Sequence, residues 1–333
     1  PYIRHGLLQL SEVWSSVSGG PDRDVAKFRD ELLWQEYARH WYAVFGGRTR
    51  RGIRREIARA SSGASWEHDM SCIAGAVAEL EQDGWLVNQV RMWLSSHWAV
   101  RNRHRWQDGE DYFFRHLLDG SRAANRLGWQ WTTGVGSSKS YGFSRQQVEK
   151  RSPGLCDRCI HAAQCPIELR PDEPAFVASP EIPGPPGGAV GHGPDQVVET
   201  GAPELVWLTA ESLGTSDPAL RSNPELPVAF VFDEPLLGSL RLSAKRLVFL
   251  TETIAELTSD REVQVHVGDP VVEVAERALA VTHAPVPGFA GRARSLAPVE
   301  IHPWPWLVRP GRGSVSSFSA WRRSSGSPSR QPG

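Results

Sequence analysis

The chain has 333 residues, of which 40% are hydrophobic and 23% are charged, so it can bury a sizeable core and wholesale disorder is excluded. No apolar run approaches the roughly 18 residues of a membrane span, so we expect no membrane partner. The net charge is −1, but residues 1–170 hold 24 basic against 19 acidic side chains, a mild excess that suits contact with phosphates. The chain shows no basic-then-apolar leader, which predicts a cytoplasmic protein.

Apolar residues recur at helical spacing along residues 1–165. The pattern is present in 11–14, 28–34, 72–100 and 111–118. Asp83-Gly84 interrupts the third stretch and predicts two helices there. Asp119-Gly120 predicts the end of the fourth. No strand-like alternation stands out, so the sequence predicts an all-helical first half.

The second half has a different character. Half of the 24 residues 171–194 are Pro or Gly, which predicts a linker. Short apolar runs at 205–208, 228–232 and 263–267, with an amphipathic stretch at 243–257, indicate strand–helix–strand order. The predicted fold class is therefore multi-domain, with an all-helical domain followed by a small parallel, Rossmann-like α/β domain. Residues 311–333 are rich in Ser, Arg, Gly and Pro and predict a mobile tail.

Four cysteines are the first candidate site. Cys156, Cys159 and Cys165 form a C-x2-C-x5-C-Pro run, and Cys72 is the distant fourth. Four thiolates can complete a tetrahedral zinc site or ligate an iron–sulfur cluster. A chain without a secretion signal favours metal ligation over the alternative of two disulfides or free thiols. A Pro after the last Cys is also found in ferredoxin-type runs and tilts the prediction towards the cluster.

A second candidate site consists of polar and aromatic residues on two predicted helices. Asn88 and Arg91 fall on nearby faces of one helix, and Asp119 is placed to pair with Arg91. Trp129 and Trp131 follow a glycine and present flat rings. An Asn side chain can bond a heterocycle edge as donor and acceptor, so this set predicts a pocket for a planar, hydrogen-bonding cofactor. Capped helices around an aromatic core are the alternative interpretation.

Five segments form an ordered motif set. They are Pro1-Tyr2-Ile3-Arg4-x-Gly6, Glu31-Leu32-Leu33-Trp34-x-Glu36-Tyr37, Gly84-Trp85-x-x-Asn88-x-x-Arg91-Met92, Trp106-x-x-Gly109-Glu110-x-Tyr112-Phe113 and Asp119-Gly120-x-x-Ala123-Ala124-Asn125-x-x-Gly128-Trp129-Gln130-Trp131. In order and spacing they resemble the flavin domain of the photolyases and cryptochromes. The resemblance covers residues 1–165 and implies that the chain binds FAD.

The α/β half resembles, less closely, the antenna domain that precedes the flavin domain in this family. Residues 205–220 resemble its first strand and loop, and Ser317–Trp321 resembles its end. The order of the two halves is therefore that of a circular permutation. We expect a helical, FAD-binding domain with the Cys cluster at 1–167 and a linker at 168–203. An antenna-like domain would follow at 204–321, and a disordered tail at 322–333. The antenna chromophore cannot be read from these residues.

The resemblance also implies roles for residues around a U-shaped FAD. Asn125 would face the flavin N5, Arg91 and Asp119 would pair beside the ring, and Asn88 would contact adenine and substrate. The implied cofactor-binding residues are Phe28, Trp85, Asn88, Arg91, Asp119, Ser121 and Asn125. Ser121 stands where the family has an acidic residue.

For electron entry the resemblance implies a line of tryptophans, whose rings oxidise more easily than other apolar side chains. Trp129 would lie next to the flavin and Trp106 in the middle, with Trp66 as the candidate for the outer position. Trp129 and Trp106, together with Asn125 as the residue that tunes the flavin, are the implied catalytic residues.

For repair of a cyclobutane pyrimidine dimer, the family stacks the flipped-out bases on two tryptophans and bonds a base edge with a Glu. The implied substrate-binding residues are Glu31, Trp34, Asn88, Met92 and Trp131. The His near Asn88 that a (6-4)-repairing member would carry is not present. Gln35 and Gln89 stand where repair enzymes carry Arg, which lowers the expected phosphate binding.

The cysteines resemble those of the bacterial branch of this family that holds a four-iron cluster. Cys72, Cys156, Cys159 and Cys165 would then ligate a 4Fe-4S cluster, with zinc as the alternative metal. The last spacing is shorter here than in that branch.

The leading hypothesis is a light-driven DNA lyase with damaged DNA as its partner. The alternative is a cryptochrome-type photoreceptor that an unidentified protein partner reads, and a third is a flavin and cluster redox protein without a light function. The retained cavity residues favour repair, whereas the near-neutral charge and the two Gln residues favour signalling.

Overall fold

The computed structural model describes residues 1–179, 191–311, 313–326 and 328. The chain divides into two compact units: the first joins Pro1–Gly47 to Pro185–Gly333, and the second is Arg48–Gly184. The domain boundaries that we expected from the composition of the sequence, at residues 167, 203 and 321, stay a prediction. Among the helices that the structure describes, none is long and apolar enough to cross a membrane.

The described residues form helices in both units. In chain order they are α1 Leu10–Ser16, α2 Asp22–Phe45, α3 Ser71–Gln82, α4 Asn88–Ser95, α5 Trp106–His116, α6 Arg122–Thr133, α7 Arg145–Arg151, α8 Pro218–Ser222, α9 Glu234–Leu240, α10 Ala244–Leu257, α11 Pro270–Glu273, α12 Phe289–Leu296 and α13 Phe318–Ser324. A π-helix, Ser96–Arg101, continues α4.

The strands form two separate sheets. They are β1 Arg55–Ile57, β2 Phe176–Ala178, β3 Val198–Glu199, β4 Leu205–Leu208, β5 Val228–Asp233, β6 Val263–Gly268, β7 Leu279–Thr282 and β8 Glu300–His302. In the first unit the strand order is β3-β8-β7-β4-β5-β6, and in the second β1 pairs with β2.

The sheet of the first unit confirms the predicted parallel α/β character. Strands β8, β7, β4, β5 and β6 are parallel, with Val206 opposite Val228 and Val228 opposite Val263. Every residue of β4 and β7 is buried, as expected for strands covered on both faces. The edge strand β3 is antiparallel to β8. The antenna-like identity of this sheet and the circular permutation stay predictions.

Helix α2 packs against the end of the chain within the first unit. The ring of Phe318 stacks on Trp34 with a centroid distance of 3.8 Å and an angle of 10°. The Tyr37 hydroxyl donates to the Val315 carbonyl at 3.0 Å, and Trp321 is buried. The predicted mobile tail is therefore wrong for this segment, because its aromatic residues bury themselves against α2. Of the tail predicted at 322–333, residue 327 and residues 329–333 lie outside the described part of the chain.

In the second unit the predicted break between two helices is confirmed. Helix α3 ends at Gln82, and α4 begins at Asn88. Gly84 has a φ of 69°, which suits the turn because glycine has no Cβ to hinder a left-handed backbone.

The prediction of an all-helical first half is wrong at β1. This strand pairs with β2, which lies in the stretch predicted as linker. Strands of three residues are too short to show alternation, so their sequence carries no period. Pro183–Gly188, the most Pro- and Gly-rich part of that stretch, lies outside the described residues.

Helices α5 and α6 approach each other at Gly109. A Cβ at this position would lie 2.8 Å from Cζ3 of Trp129 and 3.0 Å from Cδ1 of Trp98, closer than real side chains pack. Trp129 is 2% exposed, so its indole has no free space to move into. Glycine is therefore required at this position by the packing of the tryptophans.

We predict that Gly109→Ala lowers the free energy of unfolding by about 1–3 kcal/mol, because overpacking outweighs the gain in helix propensity. Denaturant unfolding of the purified protein measures this. The matched controls are Gly75→Ala in α3 and Gly128→Ala in α6, where a Cβ meets nothing within 4 Å. These should raise stability by about 0.5–1 kcal/mol. A stabilising Gly109→Ala would contradict the packing.

Two histidines of the first unit are buried in a form that resists protonation. Burial, with the charge of Arg4, lowers the pKa of His5 to about 3. Burial, with His40 nearby, lowers the pKa of His192 to about 4. An unfolded chain protonates His near pH 6.5, so below that pH the unfolded state binds more protons than the folded state. Stability is therefore lost as the pH falls from about 6.5 towards 4.

We predict that His192→Phe makes the protein less sensitive to acid. Between pH 7 and pH 5 the wild type should lose roughly 2 kcal/mol more unfolding free energy than the variant, because the variant has no group to protonate at this position. Urea unfolding at both pH values measures the difference. Equal pH dependence in the two proteins would show that His192 is not held neutral.

Candidate functional site

The ion pair predicted between α4 and the start of α6 is present. Arg91 donates through Nη2 to Asp119 Oδ2 at 2.9 Å and through Nε to the Leu86 carbonyl at 2.9 Å. These two contacts fix the plane of the guanidinium. The second oxygen of Asp119, Oδ1, is buried and has no hydrogen-bond partner in the described part of the chain. One acceptor at this position therefore stays available.

Helix α6 carries two further buried polar groups of this kind. Ser121 caps the helix by accepting from the Ala124 N–H at 3.5 Å, so in the described structure its hydroxyl serves the backbone. Asn125 lies one turn into the helix, and its Nδ2 is buried without a partner among the described residues. Trp129 lies one turn further along α6, and its indole N–H is buried without a hydrogen-bond partner among the described residues. Each such group costs roughly 1–3 kcal/mol, so a ligand that paired with these atoms would be stabilising.

Three of the predicted substrate-binding residues lie on α4 and α6. Asn88 and Met92 are one turn apart on α4, with Asn88 Nδ2 donating to Met92 Sδ at 3.9 Å. Trp131 is 49% exposed, and its ring lies 6.3 Å from that of Tyr141. Tyr141 accepts a hydrogen bond at its hydroxyl from Gln89 of α4 at 2.7 Å. Tyr141 therefore contacts both helices, α4 through the Gln89 side chain and α6 through the Trp131 ring.

Tyr141 was not predicted, and the sequence offers no signal for it. It lies in a Ser- and Gly-rich loop ten residues beyond Trp131, and its contact to α4 is set by the tertiary fold. The contact also gives Gln89 a structural partner in place of the phosphate that an Arg would bind.

The other predicted residues are placed as follows. Trp85 is exposed and lies before α4 in the second unit. Phe28, Glu31 and Trp34 lie on α2 in the first unit. Phe28 is exposed, and Glu31 accepts a salt bridge from Lys27 at 2.7 Å on the helix surface. One face of the Trp34 ring is covered by Phe318, which leaves at most its other face for a ligand.

The predicted tryptophan line is only partly reflected in ring contacts. Trp129 meets Phe113 edge-on at 5.1 Å. Trp106 is buried, and its indole N–H donates to Glu56 Oε2 at 3.2 Å. Trp66 pairs with Trp98, a residue that the sequence did not single out, at a centroid distance of 4.5 Å.

The four cysteines line one pocket in the second unit. None is in a disulfide. Cys72 comes from the first turn of α3 and the other three from the segment after α7, and the pocket that they line is partly open to solvent. Met70, Leu155 and Ile167 provide apolar walls. The structure thus brings together all four side chains that the sequence predicted as ligands.

The thiols differ in their acidity. Burial, together with the three neighbouring thiols, raises the pKa of Cys72 to about 12. Burial, with Glu149 nearby, also raises the pKa of Cys156. Burial acts the same way on Cys159, but hydrogen bonds from Ser71 and His161 outweigh it and lower the pKa of that thiol. Metal binding must therefore displace protons here, as it does at thiolate sites in general.

The four cysteine side chains are suitable ligands for a metal group. Their positions do not converge on one point that a single metal ion could occupy. Within the described residues no group of three or more His, Cys, Asp or Glu side chains is placed to hold one metal ion. The residues thus fit a metal group by chemistry and by shared location. The nature of that group is not fixed by the geometry.

Comparisons with known proteins agree with the motif set. Residues 28–153 match the family model described as the FAD binding domain of DNA photolyase. The chain is 30% identical over 144 residues to the deoxyribodipyrimidine photo-lyase of Salmonella typhimurium, covering 38% of this chain and 28% of the relative. It is 27% identical over 154 residues to that of Vibrio cholerae, covering 41% and 32%. It is 26% identical over 141 residues to that of Escherichia coli, covering 38% and 29%.

These matches cover only part of each protein. The chain spans about a third or less of the length of these relatives. No solved structure gives a significant match. The matched range, residues 28–153, contains every residue that the sequence predicted as a flavin contact. Over this part the chain is therefore similar to the FAD-binding domain of DNA photolyases.

Proposed function

We propose that this protein binds FAD and uses blue light to move single electrons, as a photolyase-type protein does. The observation that carries the proposal is that three polar atoms on and just before α6 are buried and unpaired among the described residues, namely Asp119 Oδ1, Asn125 Nδ2 and Trp129 Nε1. A planar heterocycle with its own donors and acceptors would satisfy such atoms. The matched family model supports FAD as that heterocycle.

The chain's own residues would divide the work on the cofactor. Arg91 and Asp119 would place a fixed charge pair beside the flavin, and Asn125 would present its amide to N5. Trp129 would give up an electron, because an indole held in an apolar core is the easiest nearby side chain to oxidise. When bound, FAD supplies light absorption and one-electron chemistry that no side chain can provide.

We propose repair of cyclobutane pyrimidine dimers in DNA as the leading activity. The relatives are named deoxyribodipyrimidine photo-lyases, and this chain keeps all five residue types of the repair cavity: Glu31, Trp34, Asn88, Met92 and Trp131. Trp131 is exposed and offers a flat ring on which a flipped-out base could stack. Asn88 and Met92 supply a polar and a soft apolar contact from one helix face.

A photoreceptor function is the second candidate, and one contact favours it. Phe318 occupies one face of Trp34 in the first unit, where a repair enzyme needs an accessible stacking ring. Gln35 and Gln89 also lack the positive charge that binds a phosphate backbone. In this alternative the photochemistry is retained and a protein partner reads its result.

Two substitutions decide between these functions. The reduced, FAD-loaded protein is illuminated with a thymine-dimer oligonucleotide, and repaired product is measured. If the protein repairs DNA, Trp131→Ala should weaken dimer binding by about 1–3 kcal/mol, while Trp131→Phe keeps most of the affinity because it still stacks. Phe318→Ala should raise turnover if its ring competes with a base for Trp34.

Failure of repair in both wild type and Phe318→Ala, with light-driven flavin reduction intact, would contradict the repair proposal and support the photoreceptor. Absence of bound FAD in the purified protein would contradict both functions.

We also propose that Cys72, Cys156, Cys159 and Cys165 ligate a 4Fe-4S cluster. A single zinc would require all four sulfurs about 2.3 Å from one point, whereas a cluster spreads its ligand positions over several metal atoms. The four cysteines line one pocket, which supports a metal group that they share. Zinc is the alternative. The cluster would act as a clasp between α3 and the loops after α7, since ligation adds to folding free energy.

Metal analysis tests this proposal. The wild type should contain about four iron atoms and acid-labile sulfide per chain and absorb broadly beneath the flavin bands. Cys159→Ser should lose the iron and unfold more easily, because three thiolates remain. Gln164→Ser, an exposed position on the same loop, is the control and should keep both. Stoichiometric zinc without iron would contradict the cluster.

A further inference from the structure

Trp98 and Trp66 form a buried indole pair outside the predicted electron line. Their ring centroids are 4.5 Å apart at an angle of 45°, and both rings are under 7% exposed. Trp98 lies in the π-helix Ser96–Arg101, and its N–H donates to the Arg105 carbonyl at 2.9 Å. Short π-helical segments are frequent at functional sites, because they re-aim one side chain of a helix.

Gly109 connects this pair to Trp129. The position that a Cβ would take at Gly109 is 2.8 Å from Trp129 Cζ3 and 3.0 Å from Trp98 Cδ1. These two ring atoms are therefore within about 6 Å of each other, with no side chain between them at this point. Electron transfer between rings this close is fast compared with transfer through intervening solvent.

Tyr112 extends the row towards the surface. It follows Gly109 by three residues on α5, so both lie on one face of that helix. Its ring is 5.8 Å from Trp66, and it is partly exposed. Its hydroxyl donates to Glu81, and burial together with that carboxylate raises the pKa of Tyr112. A phenol bonded to a carboxylate can lose its proton as it loses an electron.

Trp106 has no comparable contact. Its indole N–H is bound to Glu56, and in the part of the chain that the structure describes its ring makes no contact with another aromatic ring. The arrangement of rings therefore favours Trp98 over Trp106 as the neighbour of Trp129.

We propose that electrons reach Trp129 along the row Tyr112, Trp66 and Trp98. This rests on the proposed function, with photoexcited FAD as the oxidant that takes one electron from Trp129. Trp98 then reduces oxidised Trp129, Trp66 reduces Trp98, and Tyr112 reduces Trp66. Tyr112 ends as a neutral radical, because its phenol proton passes to the Glu81 carboxylate. A soluble thiol outside the protein returns the electron and proton to Tyr112.

The test uses the full FAD-loaded chain with a thiol reductant, under blue light, at equal flavin occupancy. Trp98→Phe and Trp66→Phe should each slow flavin photoreduction by about tenfold or more. Trp93→Phe, which changes a buried indole outside both rows, is the matched control and should change the rate by less than about twofold. Trp106→Phe separates this row from the line that the motif resemblance implies, and it should slow photoreduction far less than Trp98→Phe. Tyr112→Phe should remove the tyrosyl radical seen by electron paramagnetic resonance of frozen, illuminated samples. Ring-deuterated tyrosine should narrow that signal in the wild type.

A normal rate in Trp98→Phe and Trp66→Phe, with a slow rate in Trp106→Phe, would overturn the proposed row and leave the proposed function in place. If Trp98→Phe fails to fold, Trp66→Phe and the radical signal decide alone. A wild type that binds FAD but is not reduced by light would overturn both proposals.

Discussion

The approach of α5 to α6 at Gly109 is the constraint on which the second unit depends. Because no side chain leaves Gly109, the ring of Trp129 occupies that space and is shielded from solvent. Trp98 reaches the same point from the π-helix. The missing methyl group at Gly109 thus allows two indoles to meet at the crossing of α5 and α6.

Without a ligand, unpaired buried groups lower the free energy of unfolding of this unit. The buried atoms Asp119 Oδ1, Asn125 Nδ2 and Trp129 Nε1 lack partners among the described residues, and each costs roughly 1–3 kcal/mol. Because its pKa is raised, the thiol of Cys72 would have to lose its proton when a metal binds. Ligands that satisfy these groups would therefore stabilise the fold as well as supply its chemistry. The cofactor sites and the stability of the helical unit are linked through the same atoms.

Local patterns in the sequence predict much of this structure, and contacts between distant residues account for what they miss. The break at Asp83-Gly84 is predicted because a left-handed turn and two helix periods are local features. The Arg91–Asp119 pair follows from the motif resemblance, and the structure contains it. Strands β1 and β2 are too short to carry a period. Phe318 and Tyr141 lie in otherwise polar segments, and the partners Trp34 and Gln89 lie 284 and 52 residues away. No periodicity can predict such pairs.

Repair and signalling share their photochemistry and differ in which ring faces are open to a ligand. In the proposed function, electron entry would depend on Trp129, which is buried. Substrate binding would depend on Trp131, which is exposed, and on Trp34, one face of which Phe318 covers. Aromatic stacking contributes about 1–3 kcal/mol per base, so covering one platform would weaken dimer binding substantially while leaving light-driven reduction unchanged. A change at Phe318 could therefore shift a chain of this kind between repair and signalling without altering its flavin chemistry.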